Sequence, residues 1–197
     1  WNLNASISGG GENSTFSTSL GYLDQTGMTI YSDYKRYNFR VNSSYKKGIF
    51  SLSENIAITH RDKTPTTAFN ISLPTLPIYD SEDRFFSGGG DYYINPEDGK
   101  AQNKIAPLHY TDRYNKVTDI IGAITAQLDL WDGLKYKFSF SGNYSNSHNY
   151  THTPEYYTKW NEDGTPDQDY GSPKNSISES RGEEFTYTID NLLTYNK

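Results

Sequence analysis

Apolar and polar residues alternate along most of this chain with a period of two, and helical periodicity is nearly absent. Between Arg36 and Tyr45 one face carries Tyr37, Phe39, Val41, Ser43 and Tyr45, and the other carries Arg36, Asn38, Arg40, Asn42 and Ser44. Phe50, Leu52, Ile56 and Ile58 repeat the split, interrupted by Glu54. It returns as Ile120, Ile124, Ala126, Leu128 and Leu130 against Ile121, Ala123, Thr125, Gln127 and Asp129. Tyr136, Phe138, Phe140 and Tyr144 then face away from Lys135, Lys137, Ser139 and Asn143. Shorter sets open and close the chain: Leu3, Ala5 and Ile7; Phe16, Leu20 and Tyr22; Phe185, Tyr187, Ile189, Leu193 and Tyr195. Successive side chains of a strand point to opposite sides, so each run predicts a strand with one greasy and one wet face.

Seven strands follow, at 1–9, 14–24, 34–46, 49–60, 116–130, 134–148 and 183–197. Their connections are lopsided. Short turns at 10–13, 46–48 and 131–133 alternate with longer excursions at 25–33, 61–115 and 149–182. Long loops at one end and tight turns at the other are the habit of an outer-membrane barrel, whose turns face the periplasm and whose loops face outward. The fold expected is therefore all-β, an antiparallel transmembrane β-barrel segment. Tyr and Phe near the strand ends, with aliphatic residues between them, fit the aromatic girdles of such barrels. The opposite faces, rich in Asn, Ser, Thr, Lys and Arg, cannot form a dry core and suit a wetted or plugged lumen. Seven strands would leave two open edges, which lipid does not tolerate, so this is expected to be a piece of a larger barrel.

Composition sharpens the picture. Only 34% of 197 residues are hydrophobic, yet 15% are aromatic and 18 are Tyr; mean hydropathy is -0.83. That is too polar for an ordinary packed core and too aromatic for disorder. The net charge of -6 gives no overall basic character to favour nucleic acid, and the absence of Cys removes disulfides and thiolate metal sites. No apolar run is long enough for a transmembrane helix.

The segments SISGGGENSTFSTSLGYLDQTGM and YKRYNFRVNSSYKKGIFSLSENIAIT, with NLLTYNK at Asn191–Lys197 and LPTLPIYD at Leu73–Asp80, resemble the early barrel of SusC/RagA-type TonB-dependent transporters of Bacteroidetes. The resemblance spans essentially the whole chain. It implies a plugged barrel of about 22 strands, with residues 1–197 forming part of the barrel domain just after the plug. By the same resemblance the plug and TonB box lie upstream, a SusD-like surface lipoprotein caps the outward loops, and the role is import of oligosaccharides or peptides across a Gram-negative outer membrane. The alternative is a secreted or surface β-rich module that binds glycans in adhesion, which would fold without detergent.

Candidate chemistry is sparse. No nucleophile elbow, paired-carboxylate arrangement or phosphate loop is present, so no enzyme is expected. The outward loops offer Phe85, Phe86, Tyr92, Tyr93, Tyr156, Tyr157 and Trp160, whose ring faces can stack on a sugar or a peptide side chain. The competing reading is that they pack the loops against each other or against a lid. In Trp160–Gly171 the acids Asp163, Asp167 and Asp169 offer oxygen ligands for Ca²⁺, though their spacing matches no EF-hand and reads equally as turn chemistry. His148 and His152 are expected in a solvated loop. Arg36, Arg40, Lys135 and Lys137 fall on the lumen parity, where plug carboxylates are their expected partners.

Overall fold

The computed structural model describes residues 1–66, 77–88 and 102–196. Seven strands form one antiparallel sheet in simple up-and-down order: β1 Asn2–Gly10, β2 Ser14–Thr26, β3 Asp33–Lys47, β4 Phe50–Lys63, β5 Asp112–Trp131, β6 Leu134–Thr153 and β9 Ser176–Tyr195. Two two-residue strands, β7 Tyr156–Tyr157 and β8 Gly171–Ser172, pair within the last outward loop, and a short helix α1 Ala106–Tyr110 precedes β5. The all-β expectation and the seven-stranded antiparallel sheet hold. No described helix is long and apolar enough to cross a membrane, which leaves crossing by strands untouched.

Strand register turns the sequence pattern into rows. Ala5, Leu20, Phe39, Ile58, Ile120, Tyr144 and Phe185 are partners in succession from one edge to the other. Thr18, Val41, Ile56, Gly122, Gly142 and Tyr187 continue the row that starts at Ile7. Every apolar set named from the sequence lands on this one face. Toward the loops it ends in Tyr22, Tyr37 and His60, side by side with ring centroids 5.1 and 6.2 Å apart. Beyond that row stand Asp24, Lys35, Asp62 and Lys116, the last two 3.7 Å apart. Toward the turns lie Phe50, Leu128 and Tyr136 in one row. About ten residues separate Phe50 from His60, ~33 Å of strand, which at a tilt near 45° matches the roughly 25 Å apolar band of a membrane barrel.

The turn end is held by local backbone chemistry. Asp132 and Gly133 link Trp131 to Leu134, with Gly133 at φ +80. A Cβ on Gly133 would stand 2.0 Å from the carbonyl oxygen of Asn196, so glycine is required by both torsion and space.

Strands on the loop side run further than the sequence pattern indicates. The fifth spans 112–131 rather than 116–130, the sixth continues to 153, and the last begins at 176 rather than 183. The excursions shrink accordingly to 27–32, 64–111 and 154–175. The added residues, among them Asn115, Asn149, Thr151–Thr153 and Ser178–Gly182, are mostly polar on both faces. Alternation fades there while the ladder hydrogen bonds, which need no apolar face, continue. His148 and His152, expected in a loop, consequently lie inside β6 opposite Arg181 and Ile177. Their Nε2 atoms bond Glu179 at 2.7 Å and Asn175 at 2.9 Å.

Candidate functional site

Two regions carry the polar chemistry: the outward loops and the wet face of the sheet. The loops meet in a small core of their own. Phe85 is 6% exposed and packs on Tyr79, His109 and Tyr110 at centroid distances of 5.0, 5.1 and 5.4 Å. Tyr110 stacks on Tyr156 at 4.7 Å and 21°. Tyr31, from the first loop, reaches His109 Nδ1 through its hydroxyl at 2.9 Å. A line of rings thus ties all three outward connections together.

Polar groups lock the same junction. Buried Ser87 and Thr158 share a hydroxyl bond of 2.7 Å, and the Ser87 amide donates to the Thr158 carbonyl at 2.7 Å. Asn103 is the centre of this lock. Its Nδ2 donates to the carbonyls of Ile78 and Phe86, its Oδ1 accepts from the amides of Ile105 and Ala106, and its own amide donates to Ser87 Oγ. Its side-chain amide is fully used, as a buried amide requires. Asn103 was not singled out by sequence; its signal was local, an Asn three residues before a Pro-bearing helix start, where an Asx-type turn forms.

The predicted loop aromatics therefore have structural neighbours. Tyr156 and Tyr157 form β7 against β8, and Trp160 lies under the guanidinium of Arg84, 4.3 Å from its ring centroid. Burial pushes the Tyr156 phenol above its ordinary pKa, and the Glu155 carboxylate bonded to Tyr157 raises that phenol too. Tyr92 and Tyr93 lie outside the described residues. The predicted calcium acids are occupied in turns. Asp163 Oδ1 accepts from the amide and hydroxyl of Thr165, which hold its carboxyl below the usual range, with Gly164 at the bend. Asp167 accepts from the Asp169 amide and lies 3.4 Å from Lys159. Among the described residues no group of three or more His, Asp or Glu side chains is placed to hold a metal ion. Asp163 and Asp167 thus bend the chain through their carboxylates, and Asp169 joins the second turn through its amide.

On the wet face, amide and hydroxyl side chains bond along the rows. Asn55 donates to Asn42, Asn42 to Ser17 at 3.2 Å, and Thr59 to Asn38 at 3.3 Å. Arg61 pairs with Asp119, which also accepts from Ser145. Arg36, Arg40, Lys135 and Lys137 all stand on this face, as their parity predicts. Lys135 lies 3.9 Å from Asp129. Arg36 and Arg40 have no ion pair or hydrogen-bonding side chain among the described residues. Such a face is built to stay hydrated, its hydroxyls, amides and charges bonded to one another along the rows.

No family model matches the chain, and no curated protein matches it. Among solved structures, a chain in the structure of the RagAB peptide importer in the "closed-closed" state is similar to it, with a TM-score of 0.74 at 16% sequence identity. The match covers 98% of this chain and 22% of that one, so the chain spans under a quarter of the length of its counterpart. At that identity the likeness is one of fold. The seven-stranded sheet has the fold of part of a RagA-type barrel, the same type that the sequence motifs resemble.

Proposed function

We propose that this chain is an arc of a large outer-membrane barrel that imports peptides or oligosaccharides in a TonB-dependent way, with a SusD-like lipoprotein over its outward loops. The supporting observation is the match of nearly the whole sheet to an importer whose name specifies peptides. Its two unlike faces give the physical reason: lipid covers the apolar rows, and a hydrated passage runs along the polar ones. The free edges of β1 and β9 call for further strands on both sides, because unpaired backbone in lipid costs several kcal/mol per group. The role is transport without catalysis, and coupling to TonB belongs to a part of the protein outside this chain.

The test is electrophoretic. An antibody against residues 154–175 is used on outer-membrane fractions from cells that make the intact protein, with boiled and unboiled samples compared. A band several-fold heavier than 22.4 kDa whose mobility shifts on boiling is expected. A detergent-free soluble band, unmoved by heat, would replace the importer with the adhesion module.

A further inference from the structure

The polar face is not evenly polar. On β1 to β4 it carries Arg36, Arg40, Lys46, Arg61 and Lys63 and no acid, in a chain whose net charge is -6. On β5 its acids are already engaged, Asp119 by Arg61 and Ser145, and Asp129 by Lys135 and Gln127. The cations are also arranged in depth. Arg113 stands at the outer end of β5, where its terminal nitrogen reaches the Leu108 carbonyl at 3.5 Å beneath the docked loops. Lys63 is opposite Asn115, two residues deeper; Arg61 and Arg36 face each other next; Arg40 follows on β3. At the turn end, Lys46 and Lys137 line a concavity of about 480 Å³ together with Ser44, Ser53 and Thr125, Glu12 of the first turn being the one acid there.

Two facts set this series apart from an ordinary solvated face. Arg36 and Arg61 are direct cross-strand partners, a like-charge pairing that destabilises a sheet; Asp119 compensates Arg61, and Arg36 is left without a counter-ion among the described residues. The only buried side-chain nitrogens without a hydrogen-bond partner among the described residues are Nε of Arg61 and Nε of Arg113, both in the series. Buried donors are ordinarily satisfied, and rings of Arg and Lys are how pores favour anions.

We infer that Arg113, Lys63, Arg61, Arg36 and Arg40 form a cationic track that leads carboxylate-bearing cargo, an acidic peptide, from the outer mouth into the lumen. This rests on the import reading above. The guanidinium fork takes a carboxylate in bidentate fashion, and successive cations at different depths let a carboxylate be handed on without being trapped at one site. The outward end of the track is where a solute from outside arrives.

The test uses the intact transporter in its own outer membrane, with short radiolabelled peptides of equal length rich in Glu, Gln or Lys. The wild type is expected to bind and take up the Glu-rich peptide best, less so as salt rises, since screening weakens exposed charge contacts. The Arg36→Gln/Arg40→Gln double variant, checked for a heat-shifted folded band, is expected to lose roughly tenfold on the Glu-rich peptide and nothing on the Gln-rich one. Equal, salt-insensitive uptake of all three by the wild type overturns the track and leaves import standing. Uptake of none, by a barrel that is folded in the membrane, overturns import and the track with it. An unchanged preference in a double variant whose folded band melts lower overturns it too, and assigns these cations to a resident acidic segment of the protein.

Discussion

Glu54 is the residue that most visibly breaks the apolar face. It lies between Leu52 and Ile56, beside Ile124, and its one hydrogen-bond partner among the described residues is Ser43, whose hydroxyl donates to Oε1 at 2.6 Å. A carboxylate at this depth is costly in lipid, less than Lys or Arg but still on the order of 1–2 kcal/mol. Glu54→Leu in the intact barrel is therefore expected to raise stability in lipid vesicles by about that amount, read from urea unfolding. Ser43→Ala is expected to act in the opposite direction by ~1–2 kcal/mol, because it strips the carboxylate of its donor. A destabilised Glu54→Leu barrel would mean that protein, not lipid, covers this point of the face. Sequence alone picked out Glu54 as an interruption; only the register paired it with Ser43.

At the level of elements, the docking of the second and third outward loops depends on Asn103 and on the β7–β8 ladder. Asn103→Ala leaves the carbonyls of Ile78 and Phe86 and the amides of Ile105 and Ala106 without partners, a loss of roughly 2–4 kcal/mol to the junction. The expected result is faster proteolytic cutting within 154–175 in intact cells, with the barrel band unchanged; unchanged cutting would show that the rings alone hold the loops. Gly171 is the matching backbone requirement, with φ +138 and a Cβ position only 2.2 Å from the Tyr156 carbonyl oxygen. The junction also has an alkaline limit. The Tyr156 phenol titrates above its ordinary value because it is buried in the folded loops. Stability from the neutral phenol is complete below about 10 and is lost as pH rises through the folded value. Comparing ultraviolet titration and loop cleavage of Tyr156→Phe with the wild type checks this: a substitution that leaves the alkaline loss unchanged removes Tyr156 from it.

At the scale of the molecule, the sheet has β1 and β9 at its borders, and on the import reading proposed above the function belongs to the barrel that closes on them. The heat-shift experiment tests that closure, and the peptide series tests what the closed lumen favours. The structure adds an outer wall that composition did not announce. β5, β6 and β9 are each 20 residues long, so at about 3.3 Å per residue they extend well past the apolar rows and carry the docked loops beyond them.

Period-two patterning determined the strands, their two faces and the end at which the long loops lie, because alternation is written residue by residue in the chain. It also placed Arg36 and Arg40 on the wet side, since parity survives whatever the register. Tertiary structure alone decided which residues stand abreast. Tyr22, Tyr37 and His60 become one row, Arg36 meets Arg61, and Phe85 meets Tyr110 across a gap in sequence that no local rule spans. It also decided that Tyr156 and Trp160 have neighbours in the loops and that Asp163 and Asp167 bend the chain. Cross-strand and inter-loop partners depend on hydrogen-bond registration and on packing between distant segments, and neither leaves a periodic trace in the sequence.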